Sequence, residues 1–176
     1  MVWGATVSHL STTIRVEASP EAVFDLIADP TRAPEWQTLL AEMGEISGRP
    51  GGVGSSYIGY YRVAGRRIEG RFVVTAAERP RLHQATVTTR GGWTRWTTYI
   101  DTADGGSEVR VALEYELPGE IVRSVLGMLT GTRIQRAFHR TYLNLKRVAE
   151  AEAARAGAGH GQIVDGPGSA AHIGAE

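Results

Sequence analysis

The sequence predicts an α+β domain: a seven-stranded antiparallel sheet wrapped around a long C-terminal helix, with two short helices after the first strand. Three observations carry this. Turn residues recur at regular spacing between Leu39 and Glu116, residues of one face alternate with those of the other between the turns, and apolar residues at helical spacing follow Pro118-Gly119 as far as Val148. The chain of 176 residues is long enough for one hydrophobic core and short for two.

Thr6–Glu17 alternates, with Leu10, Thr12, Ile14 and Val16 on one face, and reads as a half-buried strand. Ser19-Pro20-Glu21 starts a helix: serine caps, proline suits the first helical position and the acid complements the dipole. Asp29-Pro30 ends it and begins a second short helix holding Trp36. Six strands follow, separated at Arg49-Pro50-Gly51-Gly52, Ala64-Gly65, Arg79-Pro80, Gly91-Gly92 and Asp104-Gly105. The closing helix has two apolar phases, so a break is expected near Gly127–Gly131. Residues 1–156 form the expected domain, and residues 157–176, rich in glycine and alanine without periodicity, an expected mobile tail.

Composition removes several classes. Cysteine is absent, which excludes disulfide scaffolds, thiolate metal sites and cysteine nucleophiles. No apolar run approaches the roughly 18 residues of a membrane span, and no signal-peptide pattern opens the chain, so a cytoplasmic location is the expectation. Net charge is zero but uneven: eight arginines fall between Arg62 and Arg95 against Glu69 and Glu78. Interleaved glutamates and zero net charge favour a solvated ion-paired face over a nucleic-acid platform.

Turn positions fix which side chains share a face. Ala64-Gly65 sets Tyr57 opposite Phe72 and Tyr61 opposite Ile68. Arg79-Pro80 sets Phe72 opposite Val87, Val74 opposite Ala85 and Ala76 opposite His83. Gly91-Gly92 sets Val87 opposite Trp96, and Asp104-Gly105 sets Trp96 opposite Leu113 and Thr98 opposite Val111. One apolar face results, with the arginines on the other. His83 is the only histidine sent inward; His9 and His139 fall on outward faces.

The element order, with Ala18-Ser19-Pro20-Glu21-Ala22-Val23-Phe24, Asp29-Pro30 before Pro34-Glu35-Trp36, Gly51-Gly52-Val53-Gly54, Glu78-Arg79-Pro80-Arg81-Leu82, Leu117-Pro118-Gly119 and Leu145-Lys146, resembles the helix-grip fold of the START/birch-pollen-allergen (SRPBCC) superfamily, polyketide cyclase/dehydrase branch. The resemblance spans about residues 6–152. It implies a cavity between sheet and helix for a small hydrophobic molecule such as a polyketide, lipid or isoprenoid. The expected ligand-binding residues are Trp36, Tyr57, Tyr61, Phe72, Val87, Trp96, Thr98, Leu113, Tyr115, Ile134 and Phe138. The alternative is a metal-free polyketide cyclase, aromatase or dehydrase in which His83 is the catalytic acid–base group beside the tyrosines. A third reading is an interaction module on the outer face around Trp93, Arg95 and Tyr99. No cofactor and no metal site is expected, since the inward histidine lacks a second ligand at metal spacing. The expected state is a monomer or homodimer without nucleic-acid partners.

Overall fold

The computed structural model describes residues 7–63, 65–116 and 131–160. Strand β1 (Ser8–Val16) turns Ile14 and Val16 into the core and His9, Ser11, Thr13 and Arg15 outward. The Ser19 hydroxyl caps α1 (Pro20–Ala28) by accepting a hydrogen bond from the Ala22 N–H at 3.2 Å. Asp29 caps a single 3₁₀ turn, Pro30–Arg32, which leads directly into α2 (Ala33–Trp36). Strands β2 (Leu40–Ser47), β3 (Ser56–Val63), β4 (Arg66–Glu78), β5 (Leu82–Thr89), β6 (Gly92–Ala103) and β7 (Gly106–Glu116) complete one antiparallel sheet. Its order is β1-β7-β6-β5-β4-β3-β2, so β1 and β2 form the two edges. Helix α3 spans Gly131–His160 and takes in the first residues of the segment read as a tail. Residues 161–176, and the break expected near Gly127–Gly131 up to residue 130, lie outside the described residues.

The predicted pairs Tyr57–Phe72, Tyr61–Ile68, Phe72–Val87, Val74–Ala85, Trp96–Leu113 and Thr98–Val111 are all present. Two local departures occur. The β5–β6 turn is centred on Arg90-Gly91, so Trp96 faces Ala85 and Val87 faces Thr94. There the Thr89 hydroxyl accepts from the Gly91 N–H at 3.3 Å and donates to the Gly92 carbonyl at 3.2 Å, closing the turn one position earlier. The slip is two residues in pairing, so the face of every side chain is unchanged. The second departure is a bulge at Thr75, which puts Ala77 rather than Ala76 opposite His83.

Polar ties fix the helix against edge strand β1. Gln135 Nε2 donates to the Ser11 carbonyl at 2.6 Å, Lys146 Nζ to the Arg15 carbonyl at 2.8 Å, and the Glu17 N–H to Glu150 at 2.7 Å. His139 corrects the sequence reading: it is half-buried, and Nδ1 lies 2.7 Å from the Thr12 hydroxyl, a further tie to β1. Arg32 forks between Glu35 and Glu152, joining α2 to α3. Held this way, α3 turns Phe138, Tyr142, Leu145 and Ala149 inward, spaced four, three and four residues apart.

The core divides into two clusters. The larger gathers α1, β1, β6, β7 and α3 around Val16, Leu26, Ile100, Val109 and Leu145. The smaller gathers Ala33, Leu40, Tyr57, Phe72, Val74 and Val87 at the β2–β5 end. Trp96 and Ala77 touch both.

Candidate functional site

The site lies at the seam between those clusters. A cavity of about 40 Å³ opens there, more than one water needs. The two short helices contribute Ile27, Pro30, Ala33, Trp36 and Gln37, the sheet contributes Met43, Tyr57, Phe72, His83, Ala85, Trp96 and Thr98, and α3 contributes Tyr142. No charged side chain is among them.

Aromatic stacking builds the wall. Phe72 lies between Tyr57 and Tyr61, with ring centroids 5.5 and 5.9 Å away. That stack needs the opposed glycines Gly59 and Gly70 beneath it: a Cβ at Gly59 would stand 2.5 Å from the Phe72 ring. On the helix side, Phe138 lies tilted 5.8 Å from Trp96 and meets Tyr142 edge-on at 5.2 Å. Tyr142 is also tilted against Trp36 at 5.9 Å.

The polar atoms of the wall divide into satisfied and unsatisfied ones. Trp96 donates its indole N–H to the Thr94 hydroxyl at 3.0 Å. Two buried nitrogens have no partner: Trp36 Nε1 and His83 Nε2, on residues 5% and 6% exposed. Burial pushes the His83 pKa down to about 4, so the imidazole is neutral at pH 7. Burial raises the Tyr57 phenol to about 12 and holds the Tyr61 and Tyr142 phenols protonated as well.

Of the residues singled out in the sequence, Trp36, Tyr57, Phe72, His83, Trp96 and Thr98 line the cavity. Tyr61 stands behind Phe72, Val87 and Leu113 are packed in the two clusters, and Phe138 supports the wall from behind Trp96. Tyr115 is half-buried against the larger cluster, away from the hollow. The side chain of Ile134 lies outside the described residues. Sequence reasoning missed Tyr142, although its spacing from Phe138 and Leu145 was available, and missed Ala33, Gln37 and Met43.

The glycine loop lines a different feature, a surface groove of about 660 Å³ with Asp25, Asp29, Arg49 and Arg79. Gly51 approaches the end of α1 so closely that a Cβ would stand 2.7 Å from the Ala28 carbonyl oxygen. Phe24 separates groove from cavity: it lines the former, and its ring meets His83 edge-on at 6.0 Å.

Around Trp93, Arg95 and Tyr99 the outer sheet face is paired within itself. Arg95 bonds Glu114 at 2.9 Å, Arg110 bonds Asp101 at 2.6 Å, and Trp93 donates to Glu116 at 3.0 Å. Arg67, Arg95 and Arg110 each lie over an aromatic ring, of Tyr60, Trp93 and Tyr99 respectively. Among the described residues no group of three or more potential metal ligands comes together, and no helix is long and apolar enough to cross a membrane.

A seven-stranded antiparallel sheet, two short helices after its first strand and a long C-terminal helix around a largely apolar hollow define a START-like helix-grip fold. The chain belongs to the family described as polyketide cyclase/dehydrase and lipid transport, whose profile matches residues 8–150. Among curated proteins none matches. Solved structures share the fold at low identity. The protein TTHA0849 of Thermus thermophilus is 16% identical, with a TM-score of 0.68 over 83% of this chain and 99% of that one. A START superfamily protein from Mycobacterium smegmatis is 15% identical, with a TM-score of 0.61 over 84% and 98%. The major latex-like protein 151 of Panax ginseng is 17% identical, with a TM-score of 0.62 over 85% and 99%.

Proposed function

We propose that this protein binds a small hydrophobic molecule in the cavity between the sheet, the two short helices and α3. The observation that carries the reading is a hollow walled by aromatic and aliphatic side chains, two of which, Trp36 and His83, carry a buried nitrogen without a partner. Apolar wall area supplies affinity at about 25 cal/mol per Å² buried, and sparse polar atoms supply orientation. A ligand larger than the present volume would be admitted by movement of Gln37 and Met43, both flexible and half-buried. Met43 also stands on edge strand β2, whose ladder is interrupted twice.

Binding is favoured over acid–base turnover by the state of His83. A general acid or base works best with a pKa near the ambient pH, and burial moves this imidazole well below that. No carboxylate lines the cavity to raise it again. Around Trp93, Arg95 and Tyr99 the outer face is paired within itself, which gives the interaction-module reading little free charge there. Native mass spectrometry of the purified protein, compared with its denatured mass, tests the reading. A discrete, extractable excess mass is expected. A clean unliganded mass, together with no uptake of small aromatic compounds, overturns it.

A further inference from the structure

We infer that the bound molecule is uncharged and presents an oxygen, carbonyl or hydroxyl, to the buried nitrogens of Trp36 and His83. This rests on the cavity-binding reading above and specifies the chemistry of its ligand.

The indole N–H of Trp36 is a donor only, so its partner has to be an acceptor. A neutral imidazole has one donor and one acceptor nitrogen, so Nε2 is satisfied by a carbonyl in one tautomer and by a hydroxyl in the other. Both nitrogens are on side chains more than nine-tenths buried, in a wall that holds no charged group. Leaving such atoms unpaired is costly in a low-dielectric interior, and a ligand oxygen in reach of either atom relieves its cost. A saturated hydrocarbon relieves neither. A carboxylate satisfies the donors but brings an uncompensated charge, since the wall offers it no arginine or lysine. The wall phenols add no charge to this balance, since burial keeps Tyr57 and Tyr142 protonated.

Three probes of nearly one shape separate the possibilities: acetophenone, ethylbenzene and benzoate, each titrated calorimetrically into the full chain at pH 7. Acetophenone is expected to bind about tenfold more tightly than ethylbenzene, the equivalent of about one buried hydrogen bond. Benzoate is expected to bind more weakly than either. The ratio of acetophenone to ethylbenzene affinity, read within each variant, should fall toward one in Trp36→Phe and shrink in His83→Leu, whatever the change in ethylbenzene affinity itself. Should Trp36→Phe fail to fold, the wild-type ranking and His83→Leu still decide. Equal affinity for ketone and hydrocarbon, or tighter binding of benzoate, overturns this inference and leaves the hydrophobic-cavity reading standing. Failure of all three probes to bind overturns that reading itself.

Discussion

Transfer of His83 from water into the core costs its imidazolium form its hydration, and the cavity wall supplies no carboxylate in return. The consequence is a pH dependence of known sign. In the unfolded chain the group takes up a proton near pH 6.5; in the folded chain it does so only near pH 4. Between those values the unfolded state binds more protons, so this group's share of stability is intact above about pH 6.5 and falls as pH drops toward 4. The full shift corresponds to about 3 kcal/mol. Urea unfolding at pH 7 and pH 4 should therefore show His83→Leu losing about that much less stability than the wild type. The carboxylates of Asp25, Glu35 and Glu150, held low by Arg79, Arg32 and Lys146, are common to both proteins and cancel in the comparison. Identical losses in the two proteins would mean that His83 charges freely in the fold. That His83 faces inward was legible from strand parity alone. The orphaned nitrogen of Trp36 was not, because a helix of four residues has no period from which to read a direction. Tyr142 escaped for a related reason: adjacent positions 141 and 142 are both buried, and an apolar stripe read from sequence favours neither.

At the scale of elements, alternation and turn chemistry fixed the sheet because each hairpin's parity constrains the next. A two-residue slip, as at Arg90-Gly91, costs nothing in facing, whereas the bulge at Thr75 decides which alanine meets His83. Neither was legible: one depends on a threonine hydroxyl closing a turn, the other on where β4 gains its extra residue. The paired glycines in β3 and β4 have a reading that only the structure supplies. They let the rings of Tyr57, Phe72 and Tyr61 lie flat across the strands as one wall of the hollow. Gly59→Ala places a methyl group against Phe72 and 3.0 Å from Leu40 Cδ1, so the ring has to move into the cavity. The expected cost is about 2 kcal/mol by chemical denaturation, with weaker ligand binding and an altered near-ultraviolet aromatic spectrum. An unchanged midpoint would show that the ring has room to swing elsewhere.

For the molecule as a whole, a hollow at the seam of two clusters is a departure from the close packing that maximises stability. A core evolved for stability alone would fill it, and the position to fill is at hand. Ala85 lines the cavity opposite Trp96 in the sheet, is 8% exposed, and sits on a central strand where a β-branched residue is well suited. Two added carbons in Ala85→Val extend toward a space of about 40 Å³ without needing a new polar partner. The variant is expected to be more stable by about 1 kcal/mol and to bind acetophenone at least about tenfold more weakly. Thermal unfolding and calorimetric titration of the same preparation measure both quantities. A gain in stability with binding intact would place the ligand elsewhere. A loss of stability would mean that the wall around Ala85 is already filled, and that the two clusters meet there as one core. The opposite signs expected for stability and binding distinguish a cavity kept for a ligand from one left by imperfect packing, because only the former loses a function when it is closed.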